Sequence, residues 1–312
     1  MIRKPPSAAV RVRLPYFDTL FERIAVASDD PLVKALGTRH VHWGYYATPS
    51  EADDSIQSLV AAQDALTERM VNVAGVDPQQ PLLDVGCGFG GTVAYLNERL
   101  RGISVTGLNI ELRQLRRACQ LIKERNGNDL SFVQGDACLL PFRDHSFGFV
   151  MAVECIFHFP SRLRFLKEAR RVLISGGRLV ISDFVPLAPA ALPLALWFLA
   201  HARAMGRFYG SFNYCSPNSV TGYRLLARRC GFRLIHDEDI TKNTLPTYKA
   251  LLRILGSIGH RDAERATRYA AWVSEAGWVR YRILAFEVAG VGHRQTGLIN
   301  DGSATNLIRL GP

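Results

Sequence analysis

Apolar and polar positions change period along the chain. From Pro81, short apolar runs alternate with stretches at helical spacing: "PLLDVG" then "GGTVAYLNERLR", and "ISVTGLNI" then "ELRQLRRACQLIKERNG". "LSFVQGDA" and "FGFVMAVECI" follow as two further apolar runs, then "RLRFLKEARRVLISGG" at helical spacing and "RLVISDFV" as a fifth run. Continuous apolar runs of this length predict strands buried on both faces, and the intervening segments predict helices, closed by Asn-Gly in one case and by paired glycines in the other. Strands joined through helices imply right-handed crossovers and a parallel sheet covered on both sides.

The flanks read differently. Helical spacing runs from Ser50 to about Val73, with Ser50 as N-cap, Asp53 three residues on, and Ile56, Leu59 and Val60 on one face. After Pro186 the alternation breaks into an apolar stretch. "SVTGYRLLARRCGFRLIHDEDIT" then restores a helix and a strand, residues 244–276 look helical, and "WVRYRILAFEVA" is a last strand. The expected organisation is an N-terminal helical arm and lid over 1–75, a ligand-binding core over 76–185 and a substrate-cap insertion over 186–216. The rest of the core covers 217–289, with a helical insertion at 244–276, and a polar tail covers 290–312. The fold class is α/β: a doubly wound, mostly parallel seven-stranded sheet with a helical cap.

Composition narrows the class. With 48% hydrophobic and 21% charged residues over 312 positions, the chain is an ordinary globular one. Its six cysteines form no CxxC pair, which favours reduced thiols and a cytoplasmic setting over a disulfide framework or a zinc site, so no metal is expected. "MIRKPPSAAVRVRLPYF" lacks the apolar core of a signal peptide. "VPLAPAALPLALWFLA" is short for a membrane span and holds three prolines, so it reads as a capping segment or a lipid-touching surface. The net charge of +10 is dispersed along helix faces, which argues against nucleic acid and leaves an anionic membrane surface open as a weak contact. A homodimer is equally open.

"LLDVGCGFGG" is the most specific stretch. Gly86, Gly88 and Gly90 fall where a strand turns into a helix, so the backbone can approach a ligand with helix N–H groups aimed at it. Gly86, Gly88 and Gly91 also satisfy dinucleotide GxGxxG spacing, which keeps an NAD-dependent oxidoreductase as an alternative. Asp84, two residues ahead of the first glycine, is poorly placed for a pyrophosphate and well placed for an ammonium group. Asn109 stands where nucleotide-binding folds put a ribose-reading acid, with Glu111 and Gln114 nearby.

The D-x-G-x-G-x-G pattern resembles the first motif of class I S-adenosylmethionine-dependent methyltransferases. "FVQGDACLLPF" and "RVLISGGRLVISDF" resemble later segments of that family, and "HVHWGYY" its N-terminal H-x-G-Y/W segment. The likeness runs from about His40 to Val185 and is closest to small-molecule enzymes of natural-product, sterol, tocopherol and sarcosine type. It implies a Rossmann-like methyltransferase fold and S-adenosyl-L-methionine as cofactor, with Asp84, Gly86, Gly88, Gly90, Asn109, Gln114, Asp136, Ala137 and Glu154 around it. Tyr45 would lie over the cofactor and Tyr46 toward the substrate, or both would simply pack the N-terminal arm. Asp136 would meet the adenine, or only cap its turn.

Methyl transfer to oxygen is an in-line displacement that also needs a proton acceptor. His158 and Asp183, after the fourth strand and at the end of the fifth, are the candidates; Asp183 would orient the imidazole or act as the base. The alternative for His158 is a buried, hydrogen-bonded core residue. Cys155 reads as buried filler. In the cap, Trp197, His201, Phe208, Tyr209 and Phe212 would line a pocket for a largely apolar or aromatic small molecule. Methylation at carbon or nitrogen of an isoprenoid-like acceptor, or a cyclisation on the same fold, are alternatives.

Overall fold

The computed structural model describes residues 14–26, 29–187, 190, 192–194, 196 and 219–289. The chain enters through α1 (Pro15–Val26), α2 (Pro31–Leu36) and α3 (Ile56–Ala74), and then alternates β1 (Leu82–Val85), α4 (Gly91–Arg99), β2 (Ser104–Asn109), α5 (Leu112–Leu121) and β3 (Asp129–Gln134). It continues through β4 (Phe147–Val153), α6 (Arg162–Val172), β5 (Leu173–Pro186), α7 (Val220–Arg229), β6 (Phe232–Asp239), α8 (Thr241–Ser257), α9 (Arg261–Glu275) and β7 (Val279–Val288).

These strands form one seven-stranded sheet in the order β3-β2-β1-β4-β5-β7-β6. β1 pairs in parallel with β2 and β4, while β7 lies antiparallel between β5 and β6. The sheet is thus mostly parallel, as expected, with a reversed strand near one edge. The order reverses between β1 and β4, and that switch point opens a crevice at the strands' C-terminal ends. β4 is buried at all seven positions and β1 at all four, which is what their unbroken apolar runs require. β3, at the edge, alternates exposed and half-buried positions.

Several boundaries differ from the sequence reading. Helix α3 starts at Ile56 rather than Ser50: Asp53 Oδ1 accepts from the Ser55 N–H (2.9 Å), and Ser55 Oγ then caps Ser58 N–H (3.0 Å). Pro49–Glu51 is a separate 3₁₀ turn. The paired glycines 176 and 177 lie within β5 instead of ending α6, because Leu173 already pairs with Phe147 and the register shifts between the two parts of the ladder. Asn126 and Gly127, both at positive φ, form the turn into β3, five residues beyond the end of α5. β5 runs three residues past Asp183, which pairs with Arg282 in mid-strand.

Candidate active site

A crevice enclosing about 900 Å³, part of it open to solvent, lies at the switch point. Its floor is the glycine loop. The Gly86 and Cys87 N–H groups both bind the Leu108 carbonyl, at 2.8 and 3.1 Å, which bends the chain sharply out of β1. Gly86, Gly88 and Gly90 all take positive φ (75°, 57° and 82°). A Cβ on Gly86 would fall 2.8 Å from Cys155 Sγ, so the loop needs glycine for packing as well as for its turn.

Of the residues singled out from the sequence, Asp84, Gly86, Gly88, Asn109, Gln114, Asp136, Ala137, Glu154 and His158 line this one crevice. Asp84 is buried, and its Oδ2 has no hydrogen-bond partner. Burial pushes its carboxyl up to about 7, against a smaller pull from Thr92. Asn109 Nδ2 donates to Gln114 Oε1 (2.8 Å) and its Oδ1 accepts from Glu111 N–H (3.1 Å), while the buried Gln114 Nε2 is left without a partner. Asp136 Oδ1 caps the Cys138 N–H at 2.8 Å. Glu154 has a φ of 49°, a backbone conformation rare outside glycine, and follows directly on β4. Its Oε2 accepts from Trp43 N–H (2.9 Å) and Tyr281 O–H (2.7 Å), and burial pushes its carboxyl up to about 8.

His158 lies on a 3₁₀ turn, Ile156–His158, four residues beyond Glu154. Its Nε2 is 3.4 Å from the Tyr16 hydroxyl, and the two rings stack at 6.1 Å.

Other assignments move. Asp183 is outside the crevice and does not meet His158. Its carboxylate is enclosed by the Tyr223 hydroxyl, Arg162 Nη2 (3.3 Å) and the Phe184 N–H (2.9 Å), with Asp183, Arg162 and Tyr223 all buried. Gly90 turns away as well: a Cβ there would meet Ile122 Cδ1 at 2.5 Å, on the side of α5. Tyr45 packs under Arg69, whose guanidinium stands 5.3 Å over its ring, and Tyr46 is buried with its N–H on the Asn243 carbonyl (2.9 Å). Neither tyrosine lines the crevice, so they pack the N-terminal arm. Cys155 is buried and donates to the Val85 carbonyl at 3.1 Å, with its thiol pushed well up by burial, as expected of a packing residue. Trp197, His201, Phe208, Tyr209 and Phe212 lie outside the described residues.

The sequence reading missed the opposite wall. Leu14, Tyr16 and Phe17 at the start of α1 and the segment Arg39–His42 close the crevice from above. Phe17 and Phe21 meet Phe89 of the glycine loop edge-on, at 5.8 and 5.7 Å. His40 rests on Gly91, where a Cβ would come within 2.1 Å of its Nδ1. His42 Nε2 reaches His40 Nδ1 at 2.9 Å, and His40 Nε2 reaches Asp64 Oδ1 at 2.7 Å. His42 Nδ1 donates to the Trp43 carbonyl (2.8 Å), and burial pulls this imidazole down to about 3, so it is neutral. The H-x-H alternation in "HVHWGYY" was the available signal for this chain of contacts.

The residues present fit the cofactor that the motifs imply. Two buried polar atoms, Asp84 Oδ2 and Gln114 Nε2, are unsatisfied in the crevice and await partners, which native interiors rarely tolerate. Glycines at the floor remove the side chains that would block a close approach.

Known proteins agree with this geometry. A family model described as a methyltransferase domain matches residues 83–181. Methyltransferase GfsG of Streptomyces halstedii is 32% identical over 246 residues, covering 75% of this chain and 83% of the relative. The 27-O-demethylrifamycin SV methyltransferase of Amycolatopsis mediterranei is 30% identical, over 72% of this chain and 78% of its own length. Among solved structures, the mycolic acid cyclopropane synthase CmaA1 complexed with SAH and CTAB superposes with a TM-score of 0.71 at 16% identity, over 88% of this chain and 99% of that one, a likeness of fold.

Proposed function

This chain belongs to the class I S-adenosylmethionine-dependent methyltransferases of small molecules, and from that premise we propose that it methylates an oxygen of a largely apolar or aromatic metabolite, with His158 as the proton acceptor. The observation that carries this reading is the position of His158: among the described residues it is the histidine that follows β4 into the crevice, which the glycine loop also lines. An imidazole titrates near neutral pH and suits removal of a hydroxyl proton as oxygen attacks.

The bound cofactor supplies an electrophilic methyl group. The chain's own residues do the rest. Asp84, Asn109, Gln114, Asp136 and Glu154 hold and orient it, and Leu14 with Tyr16 and Phe17 of α1 excludes competing water. Asp183 acts at a distance: with Arg162 and Tyr223 it pins β5, α6 and α7 together behind the site.

The test is methyl transfer from labelled S-adenosylmethionine to a panel of phenols and hydroxylated polyketides or terpenoids, for wild type and His158→Ala. Turnover should fall by about 100-fold or more in the variant, with affinity for S-adenosylhomocysteine nearly unchanged. Wild-type rates in His158→Ala would overturn the base assignment, and methylation confined to amines or carbon would overturn the acceptor class.

A further inference from the structure

The crevice holds two acids, Asp84 buried and Glu154 half-buried, and neither has an ion-pair partner among the described residues. Asp84 is enclosed by the glycine loop, with Thr92 as the polar group that steadies it. Glu154, which lines the crevice, is steadied by Trp43 N–H and Tyr281 O–H, both on Oε2, so Oε1 takes no hydrogen bond. The charge that acts on Glu154 is another acid, Asp183, which raises its cost further. Arg39, which lines the crevice, is committed to Asp64 (2.9 Å) and Glu98 (3.0 Å). An uncompensated carboxylate drawn out of water is expensive, and two of them line this one crevice.

S-Adenosylmethionine carries two positive charges, an ammonium and a sulfonium. Its demethylated product keeps the ammonium and has a neutral thioether in place of the sulfonium. Asp84 belongs to the loop and, by the motif, to the ammonium. We propose that Glu154 reads the sulfonium charge, so that the site discriminates the methyl donor from its spent product. The two acids thus match the two cations of the donor, and the product leaves Glu154 uncompensated, to be reprotonated from solvent as the product departs. This inference rests on the cofactor and is independent of the acceptor and of His158.

The backbone supports the assignment. Glu154 is held at a φ of 49°, with its N–H on Ser182 O (3.2 Å) and Ser182 Oγ (3.1 Å). Strain kept in place by three neighbouring elements at a ligand cavity is the usual mark of a positioned group. The titratable groups that act on it are Tyr281 on β7, Asp183 on β5 and the adjacent Cys155, while Asp84, Asp136, His158, Tyr16, Arg39, His40 and His42 line the same crevice.

Calorimetric affinities for S-adenosylhomocysteine and for sinefungin, whose amine puts a positive charge in place of the sulfonium, test it between pH 6 and 9. Wild type should come to prefer sinefungin more strongly as pH rises and Glu154 ionises. Glu154→Gln should weaken sinefungin by about tenfold or more at pH 8 and S-adenosylhomocysteine by less than about threefold. Tyr281→Phe, which keeps the carboxylate and removes one of its donors, should retain the preference. Equal loss of both ligands in Glu154→Gln would overturn the proposal. Should that variant not fold, as judged by circular dichroism, the wild-type preference decides alone, and a preference that stays flat with pH overturns it. Failure of the acceptor reading would leave all these affinities unchanged.

Discussion

Asp84 and Asp183 are equally buried, each about 1% exposed, and both stand on central strands of one sheet. Their surroundings differ. Asp183 has a guanidinium, a phenol and a backbone N–H around its two oxygens, whereas Asp84 keeps one oxygen with no partner at all. The first arrangement is complete without a ligand and the second is not. Burial alone therefore says little about role; whether the protein satisfies the buried group by itself separates a structural acid from one held ready for a ligand.

Breaking the completed side should have the largest effect. Arg162→Ala leaves Asp183 buried without its cation and should lower unfolding stability by about 3–5 kcal/mol, read by urea denaturation. Affinity for S-adenosylhomocysteine, measured well below the unfolding midpoint, should hold. Breaking the open side should invert that pattern. Asp84→Asn should cost about 10- to 100-fold in cofactor affinity, the worth of a charge-assisted contact, with unliganded stability at pH 7 unchanged or raised.

Smaller changes sharpen the contrast. Tyr223→Phe removes one donor to Asp183 and should cost about 1–3 kcal/mol of stability without touching the cofactor. The pH dependence probes the same open side. The folded-state carboxyls of Asp84 and Glu154 are raised, to about 7 and about 8, so the folded state binds more protons than the unfolded one. Their contribution is present in full below the unfolded values of 3.8 and 4.5 and is lost as pH rises through the folded ones. Unliganded enzyme should therefore melt at lower temperature at pH 8 than at pH 5.5, and the slope should flatten in the Asp84→Asn, Glu154→Gln double variant. A slope equal to wild type would show that these acids are satisfied in the unliganded protein.

Much of the crevice was legible in the primary structure. The glycines at 86 and 88, Asp84 two residues earlier, Asn109 at the end of β2 and Asp136 after β3 fall at fixed offsets from strand ends, because a parallel sheet delivers the C-terminal end of every strand to one edge. Residues tied to that edge can be counted off along the chain. Asp183 defeated the count because β5 does not stop there: it continues to Pro186 beside β7, and the side chain is drawn into the core by Arg162 and Tyr223. Tyr45 and Tyr46 failed for a related reason. Backbone contacts to Ala62 and Asn243 fix the arm, and these fix which of its side chains turn inward.

The sequence by itself determined the alternation of strand and helix, the strand–glycine–helix turn and the set of acids at the sheet's edge, since each depends on local periodicity or on short, strand-anchored spacing. Tertiary structure alone decided that β7 runs antiparallel, that α1 and the His40–His42 segment roof the crevice, and that Asp183 is paired while Asp84 and the half-buried Glu154 have no cation. Those outcomes join residues more than a hundred positions apart, such as Glu154 with Trp43 and Tyr281, or Tyr16 with His158. No local pattern encodes such contacts; they exist only once the sheet has closed and burial has fixed which polar groups must find each other.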